Sequence, residues 1–346
     1  MSARYPHRSG AYRPAFAWFC MFALVWMTML LFAGGFTTSI QAGMAFLDWP
    51  LSNGSINPEG WLTEADKRAE HSHRLLAASL GLLTIGLALW HHYFEERAWL
   101  RRLAYALALA VPVQGLLGGL RVLLDSLNTG ASHNLVATSF AVAHGCVAQI
   151  ILCALVSITF AHTRAWIERK GGLQRPASPA LARAGMVACT ATVLQLLLGA
   201  IMRHNQAGLA IATFPFVPEG GLVPSAWDFR VGIHFAHRAW ALVATAAIVL
   251  FAVRLWQARH TGRVLGAGAL ALVALLSLQI WLGACVVWTV RNAHAATLHM
   301  LNGAFVLATC WGLTFLAHHF SRIGTPSGPR PQAPSDRTRS GPALPI

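Results

Sequence analysis

The sequence predicts an all-α integral membrane fold: eight transmembrane helices forming two tandem, pseudo-symmetric four-helix bundles. Three observations predict it. Hydrophobic residues make up 55% of the 346-residue chain and charged residues only 11%, too apolar for a soluble protein of this size. Eight apolar stretches each reach the roughly 20 residues that a helix needs to cross a bilayer core. Residues of the first half also reappear in the same order in the second.

The stretches run over residues 15–36, 71–92, 103–124, 134–161, 182–202, 231–255, 264–290 and 293–320. The first follows a basic start. Its apolar run is too long for the core of a signal peptide and no small-residue cleavage site follows, so it reads as a retained helix. Residues 1–14 form a tail, 15–162 the N-terminal four-helix half, 163–181 a linker and 182–320 the C-terminal half. Residues 321–346, rich in Pro, Ser and Arg, are expected to be disordered.

The net charge of +14 follows topology. Lys and Arg concentrate in the tails and in alternate loops around residues 97–102, 164–183 and 254–263. The other loops hold most of the acids, among them Asp48, Glu64, Glu70, Asp125 and Asp228. By the positive-inside rule both termini are cytoplasmic. The basic residues form no continuous patch, so nucleic acid is not an expected partner, whereas membrane lipid is. All six cysteines lie in apolar stretches and there is no C-x-x-C-H motif, so they read as small core residues.

Gln41-Ala-Gly-Met-Ala45 reappears as Gln206-Ala-Gly-Leu-Ala210, an offset of 165 (206 minus 41). Pro50 and Pro215 share it, as do the Gln-x-x-x-Gly elements Gln114/Gly118 and Gln279/Gly283. His73-Arg74 matches His237-Arg238, and His144 matches His299. Four helices per half give both halves one orientation, related by an axis along the membrane normal. The glycines Gly34, Gly35, Gly115, Gly118, Gly119, Gly199 and Gly283 suit either close helix approach or room for a flat macrocycle.

A histidine inside a membrane helix is costly unless it has a task. His73, His144, His237 and His299 fall in four different stretches as two repeat-related pairs, toward the outer side. Two imidazoles on neighbouring helices are what a six-coordinate haem iron requires, so each half reads as one haem site. His71, His234 and His294 lie near the same ends. His91, His92, His162, His318 and His319 lie at the opposite ends and read as interfacial, and His204 is unassigned. Arg74 and Arg238, next to ligand candidates, either pair with haem propionates or snorkel to the interface. Three residues before His73 stands Glu70; three before His237 stands His234. Only the first site therefore has a carboxylate one helical turn away, either a proton acceptor or a solvated helix-start acid.

Glu70-His-Ser-His73-Arg74, with His144, His237-Arg238 and His299 following in order, resembles the haem A synthase family. Asp48-Trp-Pro-Leu51 resembles that family's first outer loop. The resemblance covers roughly residues 15–320. It implies a bacterial inner-membrane oxidoreductase that converts a methyl group of its substrate, haem O, to the formyl group of haem A by successive hydroxylations. His73 and His144 would ligate the substrate haem, with Glu70 catalytic. His237 and His299 would ligate haem B as electron-transfer cofactor. Haem O synthase and a haem A-containing terminal oxidase assembly would be partners. The chain departs from the family at the outer-loop cysteine pair that many members carry; Phe46, Leu47, Ser52 and Asn53 occupy the flanks instead. The alternative is a dihaem b-type cytochrome that only relays electrons. A transporter ranks last, lacking paired mid-membrane acids and bases.

Overall fold

The computed structural model describes residues 12–127, 134–168 and 178–323. Eight membrane-length helices are present among them, so the chain is a multi-pass membrane protein. They are α1 (Pro14–Ser39), α2 (Ala65–Phe94), α3 (Ala98–Ser126), α4 (Leu135–Ala161), α6 (Pro179–His204), α7 (Phe229–Gln257), α8 (Arg263–Trp288) and α9 (Ala293–Ile323), with a one-turn α5 (Arg164–Ile167) after α4. No strand occurs among the described residues. The expected tails and linker fall mostly outside these residues.

Local sequence accounts for the helix ends. Pro14 and Pro179 open α1 and α6, where a missing N–H costs nothing. Asn134, Ser178 and Asp228 cap α4, α6 and α7 by accepting from N–H groups of the first turn. Several helices outrun their apolar stretches. α2 begins at Ala65, so Asp66, Lys67, Arg68 and Glu70 are helical although polar. An even number of spans puts both termini on one side, called here the terminal side; the other is the loop side.

Within each half the helices close a ring. α1 packs on α2, α2 on α3, α3 on α4 and α4 back on α1; α6, α7, α8 and α9 repeat this order. Between the halves, α1 meets α9, α4 meets α6 and α4 meets α9. Over half of the apolar stretch of α4 and two-thirds of that of α9 are buried, against about a quarter in the other helices. These two helices form the centre, through Leu152, Leu155, Ile158, Leu307, Cys310 and Leu316. Gly312 lets them approach: a Cβ there would lie 2.7 Å from the Phe160 ring. Trp311 Nε1 donates to Ser157 Oγ across the seam at 2.8 Å.

On the terminal side the expectation for two histidines is corrected. His91 and His162 are buried, not interfacial. Residues 95–97 fold back under the bundle, so Glu95 Oε2 meets His162 Nε2 at 3.1 Å and Arg97 spans Glu95 and the Ala161 carbonyl. Phe16 closes the knot against both imidazoles.

Candidate functional site

The loop-side ends of α2 and α4 bring His73 and His144 together, with ring centroids 6.4 Å apart and planes at 80°. Two imidazoles bonding one metal from opposite sides at about 2.0–2.1 Å place their ring centres about 6.3 Å apart. The observed separation matches that spacing. His144 Nδ1–H donates to the Gln114 carbonyl at 3.0 Å, which fixes the tautomer that leaves Nε2 free to bind a metal. The Nδ1 of His73 is buried without a partner.

Each of the four histidines lies against a glycine of the adjacent helix. A Cβ at Gly34 would come 2.7 Å from His73 Cε1, at Gly118 2.9 Å from His144, at Gly199 3.1 Å from His237 and at Gly283 3.0 Å from His299. The glycines fix where the rings sit, a role that helix packing alone does not describe. Glutamines add to it. Gln114 Nε2 donates to the His144 carbonyl, Gln195 Nε2 lies 3.2 Å from His237 Nδ1, and Gln279 Nε2 lies 3.3 Å from His299 Nδ1. The Gln-x-x-x-Gly spacing puts amide and gap on one helix face, one turn apart. Residues 195–199 repeat this spacing, so three seats are Gln-x-x-x-Gly; in the fourth, beneath His73, Leu30 replaces the glutamine. The internal repeat marks the element at 114–118 and 279–283; the helix packing supplies what it faces.

The arginines that follow His73 and His237 turn to the loops. Arg74 donates to the Asp48 and Phe46 carbonyls at 2.8 and 3.3 Å, and to the Leu51 carbonyl. Arg238 donates to the Thr213 and Ile211 carbonyls at 2.6 and 3.0 Å. Position 46 matches 211 and 48 matches 213 at the repeat offset, so the clamps are equivalent. A residue one step along a helix points about 100° away, which is why the arginine leaves the face that its histidine occupies.

Glu70 and His234 complete the clamps. Glu70 is buried, pairs through Oε1 with Arg74 and accepts the Phe46 N–H on Oε2 at 3.1 Å. His234 lies between the Ile211 N–H, 3.2 Å from Nδ1, and Arg238 Nε, 3.1 Å from Nε2. A neutral imidazole has one acceptor nitrogen and serves one of these donors, whereas a carboxylate serves both.

The first loop closes over its site. Trp49 packs on Gly119 of α3, beside the seat of His144, an approach that any side chain at 119 would block. Asp48 accepts the Asn53 and Gly54 N–H groups at 2.7 and 2.8 Å and shapes the turn. Partial burial pushes its carboxyl up, but these two bonds prevail and hold it below the usual range. All six cysteines are free thiols within helices, none in an outer loop.

A family model described as COX15-CtaA, cytochrome oxidase assembly protein, matches residues 17–311. A protein named heme A synthase from Exiguobacterium sp. is 24% identical over 312 residues, 88% of this chain and 93% of its own length. One of that name from Listeria monocytogenes is 24% identical over 299 residues, 85% of this chain and 92% of its own. Another from Exiguobacterium sibiricum is 25% identical over 311 residues, 88% and 95%. The matched span runs from α1 into α9 and takes in all four glycine-seated histidines. The chain belongs to the COX15-CtaA family of cytochrome oxidase assembly proteins.

Proposed function

We propose that this chain is a haem A synthase, an oxidoreductase of haem A biosynthesis that converts a methyl group of haem O to a formyl group. The carrying observation is the His73–His144 pair, whose 6.4 Å ring separation suits iron ligation. Relatives named heme A synthase, aligned over nearly their whole length, support the reading. In it the N-terminal half takes haem O on His73 and His144, and the C-terminal half holds haem B on His237 and His299. The division into halves draws support from the packing, because exchanging each helix for its counterpart returns the same set of inter-half contacts. The membrane is the bacterial cytoplasmic membrane, with both termini in the cytoplasm; terminal oxidase assembly is the destination of the product.

Haem B, when bound, supplies one-electron redox chemistry. The chain's residues do the rest. Gly34, Gly118 and Gln114 hold the two imidazoles in place. Trp49 and the Arg74 clamp cover the first site on the loop side and limit water. With water as the source of the formyl oxygen, taking the methyl group to a formyl group (–CH3 + H2O → –CHO + 4 H+ + 4 e−) releases protons along with electrons that pass to an external acceptor, and Glu70, one turn from His73, is the carboxylate that would take the protons. Its two hydrogen bonds leave lone pairs open, since a carboxylate offers about four acceptor positions.

The clamp also favours a second reading, a dihaem electron relay. His234 occupies Glu70's place in the other half, so the acid has structural work without chemistry. Extracting the pigment of the purified protein and weighing it by mass spectrometry decides. Haem O or haem A beside haem B supports the synthase; haem B alone, with no conversion of added haem O, supports the relay.

A further inference from the structure

Two arginines, Arg121 and Arg203, stand on the helices that seat His144 and His237, and neither is in contact with a carboxylate among the described residues. Arg121 stands on α3 three residues after Gly118, the seat of His144. Arg203 stands on α6 four residues after Gly199, the seat of His237. Residues three or four apart share a helix face, so the backbone of each arginine lies about one turn, roughly 5.4 Å along the helix axis, from the glycine beneath a proposed ligand. Both helices run toward the loop side, so the displacement is outward.

Their partners are main-chain oxygens and one hydroxyl. Arg121 Nη1 donates to the Gly43 carbonyl, in the loop whose Trp49 packs on Gly119. Arg203 Nη2 donates to the Gly35 carbonyl at 2.5 Å and to Ser39 Oγ at 2.8 Å. Ser39 Oγ in turn bonds Thr297 Oγ1 at 2.9 Å, two residues before His299. Arg203 therefore sits where α1, α6 and α9 converge, beside α9, which carries His299, and on α6, which seats His237. Neither guanidinium makes an ion pair among the described residues. Each keeps N–H groups unused. A guanidinium in that position is costly until an anion joins it, and its planar fork fits a carboxylate with two bonds.

We infer that Arg121 and Arg203 bind the propionate carboxylates of the two haems, Arg121 in the first site and Arg203 in the second, an assignment that rests on the ligand reading above. Each haem would then turn its carboxylate edge toward the loop side; Arg74 and Arg238, which each bond two or more loop carbonyls, have fewer N–H groups left for that role.

The test uses the full chain in detergent micelles and two probes, haem B and its dimethyl ester, whose propionates are uncharged. His299→Ala isolates the first site and His144→Ala the second. Each parent should prefer haem B over the ester about tenfold or more. Arg121→Gln should abolish the preference at the first site and Arg203→Gln at the second, with Arg→Lys at either position keeping part of it. Arg74→Gln and Arg238→Gln should leave it intact. Because two ligands are compared on one protein, a variant of lower yield still gives the ratio. A parent-sized preference in Arg121→Gln and Arg203→Gln, or equal affinity for both probes in the parents, overturns the inference. If the His→Ala parents still show two bis-imidazole spectra, the ligand assignment itself fails, and this inference with it.

Discussion

Gly118→Ala adds one methyl group to α3 and asks whether the glycine seat governs ligation. The new Cβ would stand 2.9 Å from His144 Cε1 and 3.1 Å from Nδ1. Carbon atoms in contact prefer about 3.5–4.0 Å, so the ring must retreat by roughly 0.6–1 Å. Metal–nitrogen bonds tolerate about 0.2 Å. The ring cannot swing freely, because Nδ1–H is tied to the Gln114 carbonyl on the same helix. Overpacking costs about 1–3 kcal/mol and the loosened hydrogen bond about 0.5–1.5 kcal/mol. Together they weaken binding on the order of 10- to 1,000-fold at the first site. Gly81→Ala on α2 is the control, since a Cβ there meets only Val111 Cγ1 at 4.0 Å. Haem per protein, measured as the pyridine haemochrome of the purified full chain, should drop by up to half in Gly118→Ala and stay unchanged in Gly81→Ala. A Gly118→Ala protein with full haem content and an unaltered spectrum would refute the seat.

Four further expectations follow from the same geometry. His237→Ala or His299→Ala should lose the haem B of the second half; folded variants with full haem B and unchanged spectra would show that these histidines are not ligands. Glu70→Gln should fold, keep the second-half haem and lose haem O conversion by about 10²–10⁴-fold, whereas haem A output equal to the parent would leave Glu70 only its clamp on Arg74 and Phe46. Reporter fusions at Ser52 and Gly172 should report opposite sides of the membrane, and agreement between them would sink the topology. A membrane-impermeant thiol reagent should leave conversion intact, since every cysteine lies within a helix; rapid inactivation would contradict this.

The eight helices were legible because a bilayer demands long apolar runs and leaves no other way to satisfy the backbone. The histidine pairs were legible because a repeat lifts four scattered residues into two sets. What stayed hidden depends on contacts between helices. Gln114 and Gly118 announce a shared face of α3, but only the packing of α3 on α4 reveals His144 opposite. Arg74 sits next to His73 in the sequence yet turns to the loop carbonyls, whereas Arg121 and Arg203 are remote in sequence from His144 and His237 and stand one turn from the glycines that seat them. His91 and His162 lie at helix ends, where exposure is the ordinary expectation, and the turn at residues 95–97 buries them.

The seam between α4 and α9 bears on cooperativity. α4 carries His144 and α9 carries His299, and the two helices share one buried wall held by Gly312, Phe160 and the Trp311–Ser157 bond. A ligand that orders one of these helices presents its neighbour with a firmer surface to lean on. If ligands order these helices, the shared wall gives the two sites a common support, and thermodynamic linkage would make any coupling between their occupancies equal in both directions.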